Sequence, residues 1–136
     1  MSSRLLLGTY TPVTHLIELV AQTQSSRLSV RHIKDLPIPR ASWITRHPTL
    51  NDIWYIAHET DDGGGSIPGV EGKVWSYRIT SEGDATRLGE VSAVDNPCHL
   101  AVIGGGTGLA VVNVSNFSLL CQSLKLRSSL QPVRRL

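Results

Sequence analysis

The sequence predicts an all-β protein, a partial β-propeller of about two to three antiparallel four-stranded blades. Two observations carry this prediction. The apolar runs are short, rich in β-branched or aromatic residues and separated by turn residues, and the order of features in one half of the chain recurs in the other. The predicted strands span residues 4–10, 15–21, 28–36, 41–46, 52–58, 73–79, 86–91, 99–103, 109–114 and 118–126.

The pattern inside the strands predicts how deeply each is buried. The segments "RLSVRHI" and "KVWSYRI" alternate apolar and polar positions, which is typical of half-buried strands. The segments "IWYIA" and "LAVVNV" are almost continuously apolar and suit central strands buried on both faces. The segment "HLIELVA" is ambiguous between helix and strand, and the repeat described next favours a strand.

The internal repeat aligns residues 15–59 with residues 73–114. Both segments read strand, polar turn, strand, proline-containing loop, strand, turn, strand. His15 then corresponds to Lys73, Ser42 to His99 and Trp54 to Leu109. Without the insertion "TDDGGGSIPGVEG" at 60–72, the repeat approaches the roughly 40 to 50 residues of a propeller blade. Chance similarity among β-hairpins is the alternative.

The glycine-rich stretch "GGGTG" at 104–108 has two interpretations, a phosphate-binding loop or a hairpin turn. A phosphate loop leads from a strand into a helix, whose N-terminal amides hold the anion. This stretch contains no lysine and leads into "LAVVNV", another strand. A hairpin turn is therefore predicted.

Composition excludes several function classes. The 136 residues carry a net charge of +2, and the basic residues cluster only in the tail, so no nucleic-acid interface is predicted. No apolar run is long enough for a signal peptide or a membrane span, so we expect a cytoplasmic protein with no membrane partner. Cys98 and Cys121 form no C-x-x-C pair, and we expect buried free thiols and no metal or other cofactor.

Several segments resemble a known family. The segments "LLLGTYT", "WYIAHE", "GKVWSYRI", "RLGEVSA", "NPCHLAV" and "LAVVNVSN" are similar to those of the lactonase family of seven-bladed β-propellers, which includes 6-phosphogluconolactonases and carboxy-cis,cis-muconate lactonising enzymes. The resemblance covers roughly residues 5–116, and "NPCHLAV" is its most specific part. The chain departs from the family pattern at "IGGGTG" and at Val114, where an aromatic residue is usual.

The resemblance implies an N-terminal fragment of such a propeller, because seven blades need a much longer chain. Blade 1 would span about 4–36 and lack its first strand, blade 2 about 41–91, and an incomplete blade 3 about 97–126, followed by a tail at 127–136, all within one partial domain of residues 1–136. Bare ends of such an array are expected to self-associate through open sheet edges.

Candidate site residues follow from the propeller geometry, in which ligands bind where the first strands of the blades meet. His99 is the candidate catalytic residue, because histidine transfers protons near neutral pH. Ser42, Glu59 and Asn113 are candidate substrate-binding residues. A structural histidine at a strand end is the alternative for His99.

Other suggestive residues receive structural interpretations. Trp43, Trp54 and Trp75 are expected in the core between blades rather than on a sugar-binding platform. "HETDD" at 58–62 lacks the second histidine of a zinc protease, and its two aspartates lack the ligand spacing of a calcium loop. The scattered residues His15, His32 and His47 receive no role.

Three functional hypotheses remain open at this point. The chain is a sugar-lactone hydrolase or a lactonising enzyme with a small-molecule lactone as its partner, a non-catalytic protein-interaction module, or a weakly active or inactive fragment of the enzyme.

Overall fold

The computed structural model describes residues 2–22, 27–60, 71–93 and 96–113, and the backbone of 119–123. Within this part of the chain all long elements are strands, as predicted, and no helix is long and apolar enough to cross a membrane. The insertion with Asp61 and Asp62 and the tail at 127–136 lie outside the described residues. The strands are β1 (Ser2–Leu7), β2 (Thr14–Gln22), β3 (Arg27–Leu36), β4 (Ala41–Arg46), β5 (Ile53–His58), β6 (Lys73–Ile79), β7 (Ala85–Ser92), β8 (Pro97–Ile103), β9 (Gly108–Asn113) and β10 (Leu119–Ser123).

The strands form three antiparallel sheets in chain order. Sheet 1 contains β1-β2-β3, sheet 2 contains β4-β5-β6-β7, and sheet 3 contains β8-β9-β10. Each strand pairs with its neighbour in sequence, which is the connectivity of a propeller blade. The all-β partial β-propeller predicted from the repeat is confirmed.

Sheets 2 and 3 approach each other at their first strands. β8 lies against β4 and also contacts β5. The Ser42 hydroxyl of β4 donates a hydrogen bond to the carbonyl of Pro97 at the start of β8, at 2.8 Å. This arrangement is expected of blades around an axis, where the first strand of each blade is innermost.

Two equivalent β-bulges confirm the repeat and correct its alignment. In sheet 2, Ala41 pairs with His58 and Trp43 with Ala57, which leaves Ser42 as the extra residue. In sheet 3 the pairing skips Cys98 in the same way, since Pro97 pairs with Asn113 and His99 with Val112. The counterpart of His99 is therefore Trp43, and the predicted correspondence of Ser42 with His99 is wrong by one residue. Both strands carry the bulge at the same place, and the apolar pattern does not show which residue is the extra one, so alignment by pattern matched Ser42 with the residue after its true counterpart, Cys98.

Two apolar layers lie on opposite faces of sheet 2, and β5 contributes to both. Ile56 belongs to the layer shared with sheet 1, whereas Tyr55 and Ala57 belong to the layer shared with sheet 3. The prediction that "IWYIA" is buried on both faces is confirmed. The first layer comprises Leu16, Leu36, Ile38, Ala41, Ile56, Trp75, Tyr77 and Ile79, and the second comprises Ile53, Tyr55, Ala57, Val74, Ala93, Leu100, Leu109 and Val111.

Three predicted burial patterns are wrong, and position in the array explains each. The alternating pattern of "KVWSYRI" predicts a half-buried β6. Residues 74–77 are instead all buried, because apolar layers cover sheet 2 on both sides. In β9, Val112 is 36% exposed, because the apolar layers described here reach only one face of sheet 3. In the outermost strand β3, Val30 is 65% exposed.

The glycine stretch forms a tight turn between β8 and β9, and the predicted hairpin is confirmed. Gly104, Gly105 and Gly106 all have positive φ angles, of 58°, 66° and 107°. A Cβ on Gly106 would also lie 2.5 Å from the imidazole of His47. His47 accepts hydrogen bonds at Nδ1 from the backbone N–H groups of Thr49 and Leu50, so its Nε2 donates to the Gly106 carbonyl. Glycine therefore serves both the turn and the contact between sheets 2 and 3.

Candidate functional site

Trp43 and His99 form a surface pair at the line where sheets 2 and 3 meet. Their ring centroids lie 4.0 Å apart with an interplanar angle of 39°. Trp43 is 39% exposed and His99 is exposed as well. The two residues occupy equivalent positions on the neighbouring first strands β4 and β8. The structure thus brings the candidate catalytic histidine against an exposed aromatic ring.

The prediction that all three tryptophans lie in the core is wrong for Trp43. Trp75 is buried in the layer between sheets 1 and 2, and Trp54 packs against the same layer, as expected. Trp43 is instead exposed beside His99, because the bulge at Ser42 shifts by one the positions of β4 that face the core.

Ser42 joins the two first strands. Its hydroxyl lies 2.8 Å from the Pro97 carbonyl and 3.3 Å from the Ala57 carbonyl, and the single hydroxyl proton favours the shorter contact. Ser42 is half-buried next to Trp43. Its lone pairs remain chemically able to accept a hydrogen bond, and its contact with substrate stays a prediction.

Glu59 and Asn113 follow or end the second strands, at the same end of the sheets as Ser42. The carboxylate of Glu59 accepts a hydrogen bond from the Tyr10 hydroxyl at 3.3 Å. Asn113 is only 1% exposed, and its amide donates to the Ala93 carbonyl at 2.9 Å. That bond fixes the connection between sheets 2 and 3. The predicted ligand contacts of both residues stay predictions.

A shallow cavity adjoins the exposed tryptophan. Its volume is about 220 Å³, and it is lined by Leu6, Gly8, Ala41, Ser42, Trp43 and Ile44. It is smaller than the roughly 300–1,000 Å³ typical of small-molecule sites. The strands β1 and β4 thus line a small open depression rather than an enclosed pocket.

His58 is a half-buried histidine for which the sequence suggested only a discarded zinc motif. Its Nδ1 is buried and has no hydrogen-bond partner among the described residues, and its ring lies 4.2 Å from that of Trp75. Burial lowers the pKa of His58 below its usual 6.5, and the nearby cations Arg40 and Lys73 lower that pKa further. The folded protein therefore favours the neutral imidazole.

We expect acid to destabilise the protein through His58. Below about pH 6.5 the unfolded chain binds a proton at this histidine more readily than the folded chain does, so the free energy of unfolding falls as pH falls towards the lowered folded pKa. His58→Phe keeps a ring on Trp75 and removes the titration. Chemical unfolding at pH 5.5 and 7.5 should show a smaller loss on acidification in the variant. Equal losses would contradict this account, and above pH 7.5 the two proteins should respond to pH alike.

The histidines dismissed as scattered are not all scattered. His15 of β2 and His32 of β3 meet around the carboxylate of Asp35 in sheet 1. This cluster belongs to a different sheet from the Trp43–His99 pair.

Solved structures share this fold. The structure of Pseudomonas aeruginosa periplasmic gluconolactonase superposes with a TM-score of 0.77 at 19% identity, covering 98% of this chain and 38% of that chain. A putative 6-phosphogluconolactonase from Bacteroides fragilis superposes with a TM-score of 0.74 at 16% identity, covering 94% and 34%. The chain has the fold of these lactonases. A putative 6-phosphogluconolactonase from Bacteroides uniformis gives 0.73 at 17% identity, covering 94% and 35%.

The similarity to these lactonases is one of fold, and it covers only part of each lactonase chain. The chain spans slightly more than a third of the length of these lactonase structures. No protein-family model and no curated protein matches the sequence. The fold predicted from the lactonase resemblance is confirmed, and the activity is a matter for proposal.

Proposed function

We propose that the chain is part of a lactonase-type propeller whose ligand, a sugar lactone such as 6-phosphogluconolactone, binds against Trp43 and His99. One observation carries the proposal: an exposed aromatic ring and an exposed histidine lie 4.0 Å apart at equivalent positions of two neighbouring first strands. The fold shared with proteins named as gluconolactonases supports it. A cytoplasmic location is part of the same proposal.

The chemistry suits this pair of side chains. The face of Trp43 packs against the C–H groups of a sugar ring and shields the ester from water on one side. His99 takes a proton from a water molecule as that water attacks the lactone carbonyl. The ring C–O bond then breaks, the ring oxygen receives a proton, and an open-chain hydroxy acid leaves. Ser42, Glu59 and Asn113 are the proposed substrate-binding residues around it.

The isolated chain is proposed to be weakly active or inactive. It spans little more than a third of the lactonases that share its fold, and its cavity beside Trp43 is small and open. An enzyme needs preorganised groups on several sides of the reacting ester, because transition-state charge must be stabilised as it develops. We therefore expect ligand binding to be detectable where turnover is not.

The test separates binding from turnover. Hydrolysis of fresh 6-phosphogluconolactone is followed by acid release, corrected for spontaneous hydrolysis, for the wild type and for His99→Ala. We expect rates close to background and no difference between the two proteins. Turnover at ordinary enzymatic rates that His99→Ala abolishes would overturn the proposed inactivity. It would show that this chain alone contains a complete catalytic site.

Binding is tested by nuclear magnetic resonance with the hydrolysis product, 6-phosphogluconate. The indole resonance of Trp43 and the imidazole resonances of His99 should shift with saturation, and Trp43→Ala should remove the shifts at His99. The indole of Trp54 in the same sheet is the internal control and should not respond. Shifts absent from Trp43 and His99 would contradict the proposed site.

The alternative is a non-catalytic interaction module. The observation that favours it is the exposed apolar surface of sheet 1, where Leu5 is 42% and Leu7 is 51% exposed.

A further inference from the structure

Two histidines and an aspartate converge on the face of sheet 1 that points away from sheet 2. The Nδ1 of His15 and the Nε2 of His32 each lie 2.6 Å from the same oxygen, Oδ1 of Asp35. All three ligand atoms lie within 4.8 Å of one another. The side chains of His15, His32 and Asp35 are 30%, 55% and 51% exposed, so solvent reaches the cluster.

A β-bulge creates this convergence. His15 pairs directly with Asp35 across β2 and β3, so these two side chains share a face. His32 is three residues before Asp35 and would lie on the opposite face of a regular strand. The register shift pairs Lys34 with Leu16 and His32 with Ile17, leaving Ile33 as the extra residue and turning His32 to the side of His15. The H-x-x-D spacing alone would place His32 and Asp35 on opposite faces of the strand, so the sequence did not predict the cluster.

We propose that His15, His32 and Asp35 form a binding site for a divalent transition-metal ion, with Zn²⁺ as the best match. Two imidazoles and one carboxylate are borderline ligands that suit zinc, copper and nickel better than calcium or magnesium. Zinc binds such nitrogen and oxygen ligands at about 2.0–2.2 Å in a tetrahedron, which sets ligand atoms roughly 3.3 Å apart. Small rotations of the exposed side chains widen the observed 2.6 Å separations to that value. Water completes the coordination.

The surrounding charges leave the carboxylate available as a ligand. Among the described ion pairs, the carboxylate of Asp35 contacts only the two histidines and no lysine or arginine. The neighbouring cations are engaged by other carboxylates, since Arg31 pairs with Glu18 and Lys34 with Asp84. On metal binding, each imidazole places its proton on the other ring nitrogen, and the metal replaces the two hydrogen bonds to Oδ1.

The experiment titrates the full chain with Zn²⁺ by calorimetry, and with Co²⁺ by absorption spectroscopy. We expect saturable binding of one ion per chain, with Co²⁺ bands typical of nitrogen and oxygen ligands and no thiolate charge-transfer band. His32→Gln and Asp35→Asn should each weaken Zn²⁺ binding by at least about tenfold, the lower end of the loss seen when even outer partners of a metal site are removed.

A matched control distinguishes a site from general surface binding. Asp52 carries an exposed carboxylate like that of Asp35, with 49% of its side chain exposed, and pairs only with Arg78 among the described contacts. Asp52→Asn should leave Zn²⁺ affinity unchanged. Circular dichroism checks that each variant is folded, and the exposed position of His32 makes His32→Gln the variant least prone to unfold. Absence of saturable Zn²⁺ binding, or equal affinity in His32→Gln and wild type, would overturn the proposal and leave a hydrogen-bonded surface cluster.

Discussion

Ile56→Ala is expected to lower the free energy of unfolding by about 2–5 kcal/mol, the usual cost of removing a buried isoleucine side chain beyond its Cβ. Ile56 is completely buried in the central strand of sheet 2 and packs in the layer that this sheet shares with sheet 1. The cavity left behind lies among Leu16, Trp75 and Tyr77, on paired strands that cannot readily move together to fill it. Urea unfolding followed by circular dichroism measures the loss.

Thr86→Ala is the matched control for this substitution. Thr86 is also β-branched and lies in a strand of sheet 2, but it is exposed. Its truncation should change the free energy of unfolding by no more than about 0.5 kcal/mol. If Ile56→Ala cost as little as Thr86→Ala, sheets 1 and 2 would not be packed as described.

Much of the fold follows from local pattern. Short β-branched runs and turn residues predict all ten strands, because strand formation and tight turns depend on neighbouring residues. The turn at Gly104–Gly106 is predictable for the same reason. The internal repeat predicts that sheets 2 and 3 share the same strand order and connectivity.

Burial of whole strands could not be predicted from the strands themselves. The alternation in "KVWSYRI" resembles a half-buried strand, yet Ser76 is buried at 6% exposure because another sheet covers each face. Val112 has the opposite outcome on sheet 3. The position of a sheet in the array decides both cases, and that position is not encoded in one strand.

The contacts at the two candidate sites could not be predicted from the sequence, because each depends on a β-bulge. One extra residue at Ser42 places Trp43 beside His99, and one at Ile33 brings His32 to His15 and Asp35. A bulge reverses which face the following residues occupy without leaving a clear mark on the apolar pattern. His99 was singled out from the sequence, but its aromatic partner and the histidine cluster required the structure.

The second large effect is self-association through the outer face of sheet 1. On this face, towards the end of the strands away from His15 and Asp35, lies an apolar row of Leu5, Leu19, Leu28 and Val30, of which Leu28 is 71% and Val30 65% exposed. In addition, β1 lies at the edge of its sheet, so its backbone groups on one side have no strand partner among the described residues. We propose that a second copy of the chain covers this apolar row, because an apolar face beside an open strand edge favours pairing between chains.

Two variants test which surface is responsible. Leu5→Lys together with Val30→Lys places two charges on this face and should reduce association, since lysine on an edge or exposed strand opposes pairing. Thr86→Lys adds one lysine at an exposed position of β7, on a different sheet, and should leave association unchanged.

Size-exclusion chromatography with light scattering on the 136-residue chain tests the partial-propeller account most directly. The account predicts dimers or larger species whose fraction rises with protein concentration, and a shift towards monomer in the Leu5→Lys, Val30→Lys variant. A stable wild-type monomer at all concentrations, with one sharp unfolding transition, would contradict it and identify a self-sufficient domain.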